Sequence, residues 1–154
     1  MSQENSKIRY AHVNIIARDW KNLMDFYVDV FDCEPVSSER DHHGEATDAL
    51  TGLNDVRVRG QHLRVPGHGE NGPTIEIFTL SEQLDAPHPA LNQLGFAHIA
   101  FEVDDFDGTR EKILKWGGSD YGEKVTIDIA GAGRLTLLYM NDPEGNIVEL
   151  QNWH

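Results

Sequence analysis

Basic residues are scarce in this chain. Thirteen Lys and Arg stand against 26 Asp and Glu in 154 residues, a formal net charge of -13 at pH 7. A surface of that sign repels phosphate backbones and anionic lipid, and no dense Lys/Arg run offsets it, so nucleic acid is not an expected partner. Cysteine is almost missing. Cys33 stands alone and can close no intrachain disulfide, which suits a reducing compartment. No apolar run approaches the roughly 20 residues that span a bilayer, and residues 1–10 lack the apolar core of a secretory signal. The expectation is a cytoplasmic protein with no membrane partner. What remains is sufficient for a packed core: 39% hydrophobic and 25% charged residues fit one soluble domain of ordinary size.

What the chain does contain is a repeat. Ala11-His12-Val13-Asn14-Ile15 returns as Ala97-His98-Ile99-Ala100-Phe101, and Thr74-Ile75-Glu76-Ile77 returns as Ile147-Val148-Glu149-Leu150. The His copies lie 86 positions apart (12 and 98) and the Glu copies 73 (76 and 149), so each half supplies one imidazole and one carboxylate. Two of each make a donor set for a divalent metal ion.

Hydropathy along the chain places these residues on strands. Residues 10–17 alternate and are rich in β-branched side chains, which predicts a strand with His12 and Asn14 on one face. Asp19 reads as an N-cap, followed by a helix whose apolar stripe includes Leu23, Phe26, Tyr27, Val30 and Phe31 and which ends before Pro35. A weak strand over 34–40, a polar excursion over 41–55, and strands over 56–65 and 74–79 complete the first half. After a Pro-containing linker the order begins again. A strand over 95–103 precedes the N-cap Asp105 and a helix stopped by Gly117-Gly118; strands follow over 125–129, 135–140 and 146–151. Phe106, Ile113 and Trp116 fall at the same offset of 86 from Trp20, Tyr27 and Val30. The expected fold is α+β: two tandem β-α-β-β-β modules, about 8–80 and 94–154, joined by a linker over 81–93, within one domain. Ile75 and Ile77 flank Glu76, and Val148 and Leu150 flank Glu149, so each carboxylate points away from the face on which its neighbours pack. If these faces turn inward, a shared cation offsets the cost of desolvating the carboxylates and holds the imidazoles neutral.

In this order the motifs resemble the vicinal oxygen chelate superfamily, which includes glyoxalase I, methylmalonyl-CoA epimerase, extradiol dioxygenases and bleomycin-resistance proteins. The resemblance spans nearly the whole chain. It is carried by Ala11-His12-Val13, Asp25-Phe26-Tyr27, the segment from Gly95 to Phe101, and the segment from Asp142 to Leu150. It implies mixed sheets curled around a metal-binding cleft, with His12, Glu76, His98 and Glu149 as ligands of one divalent ion: Ni, Co, Zn, Mn or Fe. Glyoxalase I enzymes carry Glu where methylmalonyl-CoA epimerases more often carry Gln, so Glu76 favours a glyoxalase I-like lyase or isomerase. The alternatives are an Fe(II) extradiol-type ring-cleaving dioxygenase, a group that generally has two His and one carboxylate and usually longer chains; a non-catalytic small-molecule binding or resistance protein, of which the bleomycin-resistance proteins usually lack the ligands; and a methylmalonyl-CoA epimerase-like isomerase. The implied chemistry is proton transfer next to a carbonyl through a metal-stabilised enediolate, with Glu149 as the first candidate for the base and Glu76 the second. The implied partners are a small-molecule substrate and a second copy in a homodimer, with the site inside one chain or shared between two.

The chain departs from glyoxalase I where Phe31-Asp32-Cys33 replaces the familiar Leu-Gly, and over 41–55, so glutathione recognition does not follow. Arg18, Arg57, Arg59 and Arg64 are candidates to meet an anionic substrate, with exposed strand and turn positions as the simpler account. His42 and His43 read as a surface loop, and His62, His68 and His88 have no second copy in sequence. Cys33 reads as a small buried hydrophobe.

Overall fold

The computed structural model describes residues 7–154; part of the N-terminal stretch considered above, residues 1–6, lies outside them. The chain forms β1 (His12–Ile16), α1 (Trp20–Phe31), β2 (Glu34–His43), α2 (Glu45–Thr51), β3 (Arg57–Arg64), β4 (Thr74–Leu80), β5 (His98–Glu102), α3 (Phe106–Lys115), β6 (Ser119–Asp120), β7 (Val125–Ile129), β8 (Gly133–Asn141) and β9 (Ile147–Trp153). The α+β expectation of tandem modules holds. The helices begin where the sequence places their caps: Asp19 Oδ1 accepts from Asn22 N at 3.1 Å, and Asp105 Oδ1 from Gly108 N at 3.0 Å. At the end of α3, Gly117 adopts φ 90°, and Gly118 N reaches back to the Ile113 carbonyl at 3.0 Å.

The strands form two sheets with matching order. The first runs β1-β4-β3-β2; the second runs β5-β9-β8-β6, with β7 also paired to β8. In each, the opening strand pairs parallel with the closing strand, β1 with β4 and β5 with β9, and the other neighbours are antiparallel. The chain divides into two compact units, residues 1–24 with 32–82, and residues 25–31 with 83–154. The division falls within α1.

In the first unit Leu23, Leu63, Ile75 and Ile77 are buried, with Ile75 and Ile77 on the face of β4 opposite Glu76. β2 and β3 shift register between Val36 and Arg40. Ser37 there takes φ 64°, and buried Gln61 donates to its carbonyl at 3.0 Å. The stretch 41–55 is a correction to the expected excursion. β2 continues to His43, held against β3 by an ion pair of 2.6 Å between Arg57 Nη2 and Asp41 Oδ2, and α2 follows at once. Ala46 and Leu50 stand at helical spacing, and Gly52 closes the helix at φ 72°. Both carboxylate oxygens of Asp48 then accept from the backbone, from Asp55 N at 2.8 Å and Val56 N at 3.0 Å, tying α2 to the start of β3.

In the second unit the aromatic residues of α1 pack against β5 and against the end of α3. Phe31 stacks on Phe101 with centroids 4.0 Å apart, and Phe26 meets Trp116 edge-on at 6.1 Å. The buried polar centre of this unit is Asp142, 2% exposed. Its Oδ1 accepts from Glu144 N and Asn146 N, and its Oδ2 from Asn146 Nδ2 and, at 2.8 Å, from Tyr27 Oη. Burial raises the Asp142 pKa, and these donors oppose the rise.

Because Asp142 ionises less readily in the folded chain than in the unfolded one, its ionisation counts against folding: the stabilisation is full at low pH and is lost as pH rises through the folded pKa. Tyr27 relieves part of that cost. Tyr27→Phe is expected to destabilise the protein by about 2 kcal/mol at neutral pH, and the difference from wild type is expected to shrink as pH is lowered through the Asp142 pKa. Urea unfolding across pH measures both effects.

Candidate metal centre

The parallel pairing of first and last strands fixes the position of each His against its Glu. In the first unit His12 pairs with Thr74 and Asn14 with Glu76; in the second His98 pairs with Ile147 and Ala100 with Glu149. In both, the carboxylate stands two residues beyond the register partner of the imidazole, on the same face. The side chains meet there. His12 Nε2 lies 3.0 Å from Glu76 Oε1, and His98 Nε2 lies 2.7 Å from Glu149 Oε2. The structure thus brings His12 to Glu76 in the first unit and His98 to Glu149 in the second.

Each pair has a third member supplied by the strand antiparallel to the Glu strand. His62 is the β3 partner of Glu76, and Tyr139 is the β8 partner of Glu149. His62 Nε2 lies 2.7 Å from Glu76 Oε2, so two imidazoles bracket one carboxylate. Tyr139 packs edge-on against His98, ring centroids 5.0 Å apart. The expectation for His62 is therefore corrected. It lacks a copy in sequence because the equivalent position in the second unit holds Tyr, and the signal that would have found it is the strand register. Among the described residues, His12, His62 and Glu76 form a group whose ligand atoms all lie within 4.8 Å of one another.

Burial makes these contacts more than surface ion pairs. The Glu76 and Glu149 side chains are 13% and 9% exposed. Burial also pushes the His62 imidazole below its ordinary pKa, against the upward pull of Glu76, which keeps the ring in the neutral form that ligates metal. Its Nδ1 is 3.3 Å from Thr74 Oγ1, and the Glu149 Oε1 accepts from Gln151 Nε2 at 2.8 Å, so both groups are oriented from behind. Imidazole nitrogens facing half-buried or buried carboxylate oxygens, without thiolate, fit a divalent ion of the kind expected from the sequence.

The remaining candidates fall elsewhere. Arg57, Arg59 and Arg64 pair across β2 and β3 with Asp41, Glu39 and Glu34, which accounts for them without a substrate anion. His42 belongs to the end of β2 rather than to a loop, while His68 and His88 are exposed. Cys33 is 1% exposed, and burial pushes its thiol up to about 12, which makes it an inert core residue.

The fold is shared with known proteins. The chain shares its fold with a glyoxalase family protein from Bacillus cereus at TM-score 0.80 and 21% identity, over 99% of both chains. A glyoxylase/bleomycin resistance protein/dioxygenase domain from Frankia sp. EAN1pec aligns at TM-score 0.61 and 18% identity, over 97% of this chain and 94% of that one. The fosfomycin resistance protein FosX from Listeria monocytogenes, in complex with Mn(II) and sulfate, aligns at TM-score 0.54 and 17% identity, over 95% and 93%. No curated protein matches the sequence. The sequence profile of one family covers residues 9–150, and with it the chain belongs to the Glyoxalase/Bleomycin resistance protein/Dioxygenase superfamily.

Proposed function

We propose that this protein is a divalent-metal-dependent lyase or isomerase, glyoxalase I-like, that moves a proton next to a carbonyl of a small oxygen-rich substrate. The observation that carries the reading is the repeated His–Glu contact, His12 with Glu76 and His98 with Glu149, each set by the same parallel register. We assign these four residues as ligands of one ion, in a homodimer. Mn(II) is present in a FosX structure of the same fold, so Mn is tested beside Ni, Co, Zn and Fe.

When bound, the ion polarises the substrate oxygens and stabilises the negative charge that develops as the neighbouring C–H ionises. Glu149 is assigned as the base. Gln151 holds one of its oxygens at 2.8 Å and His98 faces the other at 2.7 Å, so the carboxylate is positioned by a neutral amide on one side and by a ligand on the other. Glu76 takes the second place because both of its oxygens face imidazoles. The low exposure of both carboxylates limits the water that competes for the transferred proton.

Three outcomes test this reading. Elemental analysis and titration with Mn, Ni, Co, Zn and Fe should show an ion whose binding raises Tm, by about 2.7 kcal/mol of added stability at a hundredfold excess over Kd. His12→Ala and His98→Ala should each abolish that gain; full retention in His98→Ala would restrict the ion to the first unit and overturn the four-ligand assignment. Glu149→Gln should lower kcat on a hemithioacetal substrate by about a hundredfold or more, the scale of a lost general base, while leaving Tm within a few degrees. Oxygen uptake with catechols by the Fe(II)-loaded protein, in place of hemithioacetal turnover, would replace the proposed reaction with ring cleavage.

A further inference from the structure

The sheet face of the first unit that carries His12, His62 and Glu76 changes character along the strands. Toward the other end of the same face stand Ile16 on β1, Phe78 and Leu80 on β4 and Val58 on β3. With α2 these residues line an open cavity of about 370 Å³. Asn14 belongs to its wall and is also the register partner of Glu76, so the cavity begins where the His and Glu cluster ends. Gly60 makes room for the floor: a Cβ there would collide with the Ile77 carbonyl and the Phe78 ring.

Charge and exposure say what the cavity suits. The chain has 39 residues of Asp, Glu, Lys and Arg, yet among the described residues none of these types lines the cavity, and His42 is its one titratable lining group. Leu50 of α2 is 88% exposed and Ile16 49%, so large apolar side chains stand in water at a concavity beside a polar cluster. A concave apolar wall with a few polar groups at one end is the arrangement of a small-molecule site.

We infer that the cavity takes the neutral apolar body, an aromatic ring or a branched alkyl group, of a substrate whose oxygen-bearing head reaches the His12, His62 and Glu76 end. The assignment of the head rests on the metal reading proposed above; that of the body rests on the cavity alone. A peptidyl thiol conjugate such as a glutathione adduct, with two carboxylates and an ammonium, is the wrong chemistry for this lining, because no opposite charge in the lining replaces the water that its charges lose.

Methyl-labelled, metal-free protein titrated with benzyl alcohol should show saturable shifts at the Ile16, Leu50 and Leu80 methyls, and S-methylglutathione should bind at least tenfold more weakly. Leu50→Asp, at an exposed position, and Ala46→Trp, which fills the space from α2, should each weaken benzyl alcohol by tenfold or more with the remaining methyl spectrum preserved. Absence of methyl shifts, unchanged affinity in both variants, or tighter binding of S-methylglutathione would overturn the inference. With Zn(II) added, benzohydroxamate should bind about 30-fold tighter than acetohydroxamate, the order expected for burying a ring in place of a methyl group. Methyl shifts with benzyl alcohol but no Zn-dependent hydroxamate binding would leave the body in the cavity and remove the head from the metal, separating failure of the metal reading from failure of the cavity assignment.

Discussion

The parallel contact between the opening and closing strands of each repeat is the constraint on which the site depends. A parallel pair cannot be closed by a tight turn; it needs a long connection, and here the helix and the antiparallel strands between the two partners supply it. The return strand then arrives with its face already determined. A slip of one residue would turn Glu76 into the core and Ile75 or Ile77 toward His12, exchanging a paired carboxylate for a buried unpaired one. Packing of the apolar face and meeting of the polar groups are therefore one register decision, made twice in the chain.

The two outcomes of that decision are not identical. Glu76 is bracketed by two imidazoles, whereas Glu149 has one imidazole, a neighbouring Gln amide and the ring of Tyr139 close to its His. Burial, with Glu149 second, raises the Tyr139 pKa, so the phenol remains a neutral group beside that carboxylate. The repeat has kept its geometry while its third position diverged. One half sets two imidazoles against its carboxylate, and the other sets one imidazole and a neutral amide.

Much of this was legible in the sequence because the repeat carries both strand periodicity and chemistry. The caps at Asp19 and Asp105, the stop at Gly117 and the His and Glu pairs all follow from local patterns, and the structure reproduces them. His62 was not legible, since it lies 14 residues before Glu76 and becomes its neighbour only through antiparallel pairing of β3 and β4. Nor was α2, whose seven residues include only Ala46, Ala49 and Leu50 as apolar groups and are too few for helical periodicity to emerge from a polar background. Asp142 was visible as part of a motif, but its hydrogen bond to Tyr27 joins residues 115 positions apart, and no local pattern announces it.

The attachment of α2 has a structural consequence. Its glycine boundaries and the grip of Asp48 on the chain entering β3 secure the helix at its ends, while the imidazoles and carboxylates stand on strands that it does not interrupt. A change within this seven-residue helix therefore alters the wall of the adjacent cavity and leaves in place the register that aligns β1 with β4. The α2 side of the cavity wall is thus carried apart from the strands that hold His12, His62 and Glu76.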